Sequence, residues 1–360
     1  MPLKSLERYL RNWLVRSGNR LPVYVRVPVP LFAPNSRILL LRHDKLGDAI
    51  ISLPLLRVLR THFPEMQIDV LLSKHNFALA PHVRRYANQC WQYEKSALKS
   101  LWLVRQLRAA RYHAVVDLMD NASATSSVLI KLLDVSAVGI EKSNAASYTY
   151  LVPMLNRNCT HIVERLAQLL LPFGIDPNQE SLELEYPLSP HLLEHARQRL
   201  GEKLARYRFG INISAGDRWR YWGKDNFIRF ISAFKAQHSE VEVVVFAHHL
   251  DRQEAEQIAA ATNSRLAPIV PTLNEFAAML VQCDALLSPD TAIVHIAAAW
   301  KVPQVVLYSR AEGLPMVWLP YRAPHRALET RADSIQAIGV EAVLKATESL
   351  WQEQMQSVYG

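Results

Sequence analysis

From Arg37 onward, short apolar runs alternate with longer segments in which apolar residues recur every three or four positions. RILLLRH (37–43) reads as a buried strand, and the Leu-rich segment after Gly47 as a helix. QIDVLLS (67–73) is a second strand, residues 96–110 a helix, HAVVDLMD (113–120) a third strand, 122–133 a helix and SAVGIE (136–141) a fourth strand. These runs are rich in Val, Ile and Leu and are separated by helices, the pattern of a parallel sheet covered on both faces. The alternation restarts with strands at FGINISAG (209–216) and VEVVVFAHH (241–249), then helices at 251–262 and 273–283. DALLSPD (284–290) is a strand, TAIVHIAAAW (291–300) a helix, PQVVLYS (303–309) a strand and 334–355 a final helix. The pattern predicts an α/β chain of two Rossmann-like doubly wound domains with a cleft between them.

The segments between and around these domains differ in character. LPFGIDPNQESLELEYPLSP (171–190) is rich in turn formers and acids and marks a linker. The expected divisions are an extension (1–36), a first domain (37–180), a linker (181–205), a second domain (206–332) and a C-terminal helix (333–360). In the extension, Leu3, Leu6, Leu10, Trp13 and Leu14 recur at helical spacing with Lys4, Arg8, Arg11 and Arg16 between them. This is an amphipathic basic helix, suited either to a membrane surface or to packing on its own domain. Pro22, Pro28, Pro30 and Pro34 then impose an extended connector.

Composition narrows the class. The chain has 360 residues, 50% of them hydrophobic and 21% charged, which fits an ordinary globular protein. No secretory-signal pattern and no long uncharged apolar run is visible, so a transmembrane helix is not expected. Cys90, Cys159 and Cys283 form no CxxC pair, which argues for a reducing cytosol. Residues 1–180 hold 23 Lys+Arg against 13 Asp+Glu, whereas residues 181–360 hold 18 against 20. The basic first half suits a partner bearing phosphate, or is a solvated basic face. Nucleic acid is disfavoured because no recognised module accompanies the charge.

Three polar clusters interrupt the apolar pattern. Asp48 follows Gly47 just past a strand's end, where a helix begins. Such a carboxylate either caps the helix or, kept ionised by the helix terminus, serves as a base. Arg42, His43 and Lys45 share its loop, and Arg57 and Arg60 share one face of the next helix, so all are candidates for holding phosphates. No GxxxxGK[ST] loop occurs, which disfavours P-loop chemistry. In SAGDRWRYWGKDNF (214–227), Arg218, Arg220 and Lys224 suit a diphosphate, with backbone amides near Ser214 and Gly216 as further donors. Trp219 and Trp222 are otherwise packing residues. In SPDTAIVHIAAAW (288–300), Asp290 and Thr291 stand at a strand–helix junction and His295 lies one turn on. His248 and His249 adjoin Asp251, but no metal-binding spacing is present and no metal is expected.

These three clusters, in this order, resemble those of the glycosyltransferase family 9 heptosyltransferases. LGDAIISLPLLRVLR is similar to the family's [LM]-G-D loop and Leu/Pro-rich helix, RYWG to its Lys/Arg-x-Trp-Pro motif, and SPDTAIVHIAAAW to its D-[ST]-G-x-x-H-[LI]-A-A-A motif. The resemblance implies the GT-B fold and an inverting transfer, with Asp48 as base and Arg42 toward the acceptor, where Lys45, Arg57 and Arg60 are the further candidates from the residues themselves. It implies a donor site with Arg220, Asp290, Thr291 and His295, with Ala292 at a motif position, and Ser214, Gly216 and Lys224 join it as candidates from their own loop. The implied donor is ADP-heptose, with no cofactor and no metal. The implied acceptor is a phosphorylated glycolipid of the lipopolysaccharide inner core, lipid A–Kdo, met by a cytoplasmic enzyme on the inner membrane. Two departures stand out: Ala292 where the family has Gly, and Gly223 where it has Pro. Another nucleotide-sugar such as a hexosamine donor, or a non-catalytic glycolipid-binding role, are the alternatives.

Overall fold

The Val-, Ile- and Leu-rich runs pair into two separate parallel sheets in a computed structural model, which describes residues 18–310 and 318–359. One sheet belongs to a unit spanning Met1–Leu182, the other to a unit spanning Glu183–Gly360. The amphipathic segment expected at residues 3–17 lies outside the described residues.

The first unit contains β1 (Val23–Tyr24), β2 (Arg37–Arg42), β3 (Gln67–Ser73), β4 (Gln89–Tyr93), β5 (Ala114–Asp117), β6 (Ser136–Ile140) and β7 (Tyr150–Val152), in spatial order β1-β7-β6-β5-β2-β3-β4. Its helices are α1 (Leu46–Ile50), α2 (Leu53–His62), α3 (Ala80–Val83), α4 (Ala97–Ala109), α5 (Ala124–Leu133) and α6 (Ile162–Ala167). Ile38 to Leu41 of β2 are all fully buried, as a strand covered on both faces requires. The single helix expected after Gly47 is two, α1 and α2. Pro54 sits in the first turn of α2, where its missing N–H is tolerated; inside a continuous helix it would break the ladder. The Pro-rich connector contributes the two-residue edge strand β1, a place where neighbouring prolines cost no ladder bonds.

The second unit contains α7 (Pro190–Leu200), β8 (Tyr207–Asn212), α8 (Lys224–Gln237), β9 (Val241–Phe246), α9 (Arg252–Thr262), β10 (Arg265–Leu266), α10 (Leu273–Leu280), β11 (Ala285–Pro289), α11 (Ala292–Ala299), β12 (Gln304–Ser309), β13 (His325–Thr330) and α12 (Val340–Tyr359). Its sheet runs β10-β9-β8-β11-β12-β13. The stretch expected as a linker, 181–205, holds α7: Ser189 caps it through its hydroxyl, Pro190 starts it and Gly201, at φ 74°, ends it. The last helix starts at Val340 and not at 334, because residues 335–337 form a short 3-10 turn before it.

Candidate functional site

In each unit the chain reverses its direction of winding beside the first strand of the alternation. β2 lies between β3 and β5, and β8 lies between β9 and β11. The crevice outside the carboxyl ends of such a strand pair is where open α/β sheets bind ligands. The Arg42–Asp48 loop leaves one of these points. Residues 213–216 and the Asp290–Thr291 junction leave the other.

In the first unit Arg42 organises the crevice. It is 1% exposed, and its guanidinium donates to the Asp48 carbonyl (2.7 Å), the Asp44 carboxylate (3.1 Å) and the Leu118 carbonyl. The last of these ties the ends of β2 and β5 together. Its Nη2 faces Asp48 Oδ1 at 3.9 Å. Arg42 is thereby committed to internal partners and holds the loop, with almost no surface left for a ligand.

Asp48 is not the cap residue itself. It is the third residue of α1, and its Oδ2 accepts a hydrogen bond from the Lys45 N–H at 3.0 Å. The side chain keeps 16% exposure. A helix-capping carboxylate with one open side can accept a proton from a hydroxyl brought to it, so capping and base chemistry are compatible in one group. Asp44 was not singled out as a site residue on sequence grounds. Burial pushes its carboxyl up to about 7, the neighbouring Asp48 adds to the rise, and Arg42 opposes it. Its Oδ1 has no hydrogen-bond partner among the described residues. The only sequence signal was two carboxylates four residues apart in one loop.

The other basic residues separate. Arg60 donates to the carbonyls of Phe63, Pro64, Met66 and Tyr86 and to the Asn88 side chain. These groups lie before the amino ends of β3 and β4, at the opposite end of the sheet from Asp48. Arg57 donates to the Ser181 carbonyl. The expectation that Arg60 shares a phosphate site with Asp48's loop is therefore corrected. Equal helical face did not mean equal height, because α2 runs antiparallel to the strands and carries Arg60 away at 1.5 Å per residue. Lys45 remains at the loop and lines a concavity of about 450 Å³ with His43, Asp44, Ser73, Lys74 and His75, closed by residues 93–95. Lys74 and Lys95 bring further positive charge to that concavity, which opens at the carboxyl ends of β2, β3 and β4.

In the second unit Arg220 spans the crevice. Its Nη1 donates to the Asp290 carbonyl (3.0 Å) and lies 3.2 Å from the Asp290 carboxylate, and its guanidinium stacks 4.5 Å from the Trp219 ring. Thr291 precedes α11 with extended backbone and makes no side-chain cap, and its buried Oγ1 has no hydrogen-bond partner among the described residues. The first amides of α11 point past it, a ready arrangement for an anion. Ala292 is the first residue of α11 and is not among the positive-φ residues, so this backbone does not require the glycine usual in the family. His295 is 3% exposed, one turn further, with its ring 6.2 Å from that of Trp318.

Ser214 donates to Asp251 (2.5 Å) and accepts from the His248 N–H (2.7 Å), so its hydroxyl braces the loop after β9. At Gly216 no atom lies within 4 Å of where a Cβ would be, which leaves that backbone open to approach. Lys224 reaches Gln257 on α9 (3.1 Å) and not the Asp290 junction. Gly223 adopts φ 103°, closed to proline, so the departure from the family's Trp-Pro is a change of backbone path and not only of side chain. Trp222 is fully buried, as the packing alternative required, whereas Trp219 is 39% exposed. β9 ends at Phe246, so His248 and His249 lie beyond it. Their rings sit 4.0 Å apart and do not alternate across a strand. Among the described residues no group of three His, Cys, Asp or Glu side chains is placed to hold a metal ion.

Residues 100–331 match the glycosyltransferase family 9 (heptosyltransferase) pattern. A lipopolysaccharide heptosyltransferase 3 of Escherichia coli is 24% identical over 293 residues, covering 76% of this chain and 83% of that protein. Among solved structures, a glycosyl transferase family 9 protein of Veillonella parvula superposes with a TM-score of 0.71 at 20% identity, covering 88% of this chain and 97% of that one. An E. coli heptosyltransferase solved with ADP gives a TM-score of 0.65 at 17% identity, covering 87% and 99%. With two doubly wound parallel units and a family match across more than half its length, this chain belongs to glycosyltransferase family 9, the heptosyltransferases, and is a glycosyltransferase of GT-B fold.

Proposed function

We propose that the chain transfers a heptose from ADP-heptose to a lipid A–Kdo type acceptor of the lipopolysaccharide inner core, with inversion. Asp48 removes the proton of the acceptor hydroxyl as that oxygen attacks the anomeric carbon and ADP leaves. Arg220 and the amides at the start of α11 meet the charge that develops on the diphosphate, with Asp290 holding Arg220 in place. Thr291 and His295 line the same donor region. Lys45, Lys74 and Lys95 around the concavity suit the acceptor's phosphates and carboxylates. No metal or cofactor enters this scheme. The observation that carries it is the partly exposed carboxylate of Asp48 in the first turn of α1, at the winding reversal of a family 9 transferase. The relatives' own names, lipopolysaccharide heptosyltransferase and heptosyltransferase with ADP, support the donor and acceptor classes.

The test is incubation of the purified protein with ADP-heptose, and separately with UDP-hexosamine donors, with and without lipid A–Kdo. The expected result is acceptor-dependent release of ADP with a product one heptose heavier. Transfer from a hexosamine donor alone would replace heptose. Tight acceptor binding without any transfer would favour a non-catalytic glycolipid-binding protein.

A pH effect follows from Asp44. Its carboxyl faces Arg42 and Asp48 from its own loop and α1, Asp117 from the end of β5, and Lys45, Lys74, Lys95, His43, His75 and Glu94 around the concavity. Below about pH 7 Asp44 is protonated, and Arg42 meets it as a neutral carboxyl. As Asp44 ionises it adds a negative charge to the loop, which favours movement of the acceptor's proton toward that loop. Turnover is expected to rise through pH 7, and Asp44→Asn to flatten that rise by a few-fold in a kcat–pH profile. An unchanged profile in Asp44→Asn would refute the coupling.

A further inference from the structure

The face of α4 that turns away from the core is apolar, and its surroundings are basic. Leu98, Leu101 and Trp102 are 81%, 71% and 61% exposed. They stand at i, i+3 and i+4, one continuous face, while Leu103, Val104 and Leu107 on the other side are buried in the sheet's cover. From Lys95 to Arg111 the chain holds five cations (Lys95, Lys99, Arg105, Arg108 and Arg111) and no acid. The acid next to it, Glu94, is engaged by Lys99 at 2.6 Å. Arg105 falls one turn after Leu101 and Trp102, on the same exposed side. Leu132 of α5 extends the surface: it is 39% exposed, and Arg108 donates to its carbonyl at 2.8 Å. Among the described residues nothing buries these side chains, and three large apolar groups together in water mark an interaction surface.

We propose that this face of α4 docks on the surface of an anionic lipid bilayer. Leucines and a tryptophan ringed by lysine and arginine match the boundary between headgroups and acyl chains, where the indole prefers to sit and cations meet lipid phosphate. Charge argues against a second copy of the chain as occupant, since two such faces would bring five like charges against five. Among the described residues no helix is long and apolar enough to cross a membrane, so contact of this kind would be at the surface. The placement has a consequence for the reaction. α4 starts directly after residues 93–95, which close the concavity beside Asp48's loop. A bilayer seated on α4 therefore meets the rim of that concavity at headgroup level, where a lipid-linked acceptor presents its sugars. That link rests on the acceptor proposed above, but the docking itself does not.

The experiment is flotation of the full chain with phosphatidylethanolamine vesicles containing about a quarter phosphatidylglycerol, read alongside quenching of tryptophan fluorescence by brominated lipid. The wild type should float, and the quenching should drop in Trp102→Phe, which isolates Trp102 from Trp13 and the other tryptophans. Leu98→Ser/Leu101→Ser/Trp102→Ser should lower the partition coefficient about tenfold or more, and Lys95→Glu/Arg105→Glu should remove most of the preference for anionic over neutral vesicles. All these positions are exposed, and an unchanged melting curve confirms the fold. Absence of wild-type flotation, wild-type flotation by the triple serine variant, or quenching unaltered by Trp102→Phe would each overturn the proposal. So would a dimer in light scattering that the serine variant abolishes, which would assign the face to a second copy. None of these readouts measures sugar transfer, so docking and the transferase scheme fail separately.

Discussion

Asp48→Asn is expected to lower turnover by about 10²–10⁴-fold, the usual worth of a general base, while the melting temperature hardly moves. The substitution is chosen because the two roles of Asp48 separate at the side chain. An asparagine oxygen can still accept the Lys45 N–H that Asp48 Oδ2 accepts at 3.0 Å, but it cannot take a proton from a sugar hydroxyl. Asp48→Ala removes both, and the lost cap should cost about 1 kcal/mol of stability beyond the loss of turnover. The loop should survive either change, because Arg42 and Ser52 hold Asp48 through its main-chain carbonyl, at 2.7 and 2.8 Å. Steady-state rates should show the loss in kcat, with ADP-heptose affinity measured by calorimetry unchanged. An Asp48→Asn enzyme with near-normal kcat would reduce this residue to a helix cap.

Trp222→Ala is expected to destabilise the second unit by about 3–5 kcal/mol, the range for emptying a buried aromatic site. Trp222 is fully buried and its indole N–H donates to the Ile338 carbonyl at 2.9 Å. Its ring meets those of Phe227 at 5.1 Å and Phe230 at 6.0 Å, joining the 214–227 loop to α8 and to the segment before α12. Truncation leaves a cavity and an unpaired carbonyl together. Trp222→Phe keeps most of the volume and should cost clearly less. Denaturant unfolding followed by circular dichroism is the check, with two transitions fitted if the units unfold separately. Because Arg220 is two residues away, the alanine variant should also bind ADP-heptose more weakly. A midpoint within error of wild type would show that Trp222 is not the anchor of this loop.

The long central strands were legible because a strand covered on both faces must be apolar at nearly every position, as β2, β5 and β9 are. Edge strands were not. β4 (QCWQY) and β13 (HRALET) each pair on one side only and carry polar residues on partly solvated faces, so their pattern is close to that of a loop. The helix break at Ser52 is written in Pro54, but the apolar spacing continues through it and hides it.

The candidate site divides along similar lines. The order of the three clusters is a property of the chain, so the sequence alone was enough to indicate a family 9 transferase and to single out Asp48, Arg220, Asp290 and Thr291. Local spacing can say that a residue follows a strand or begins a helix, and it did. It cannot say at which end of a sheet a later residue lies, or which charge is spent inside the protein. Only the tertiary structure sends Arg60 to the amino ends of β3 and β4, turns Lys224 toward α9, and buries Arg42 between Asp44 and Asp48. It alone leaves Leu98, Leu101 and Trp102 in water beside a basic concavity. These outcomes depend on which elements pack together, and contacts between residues distant in the chain leave no periodic trace in it.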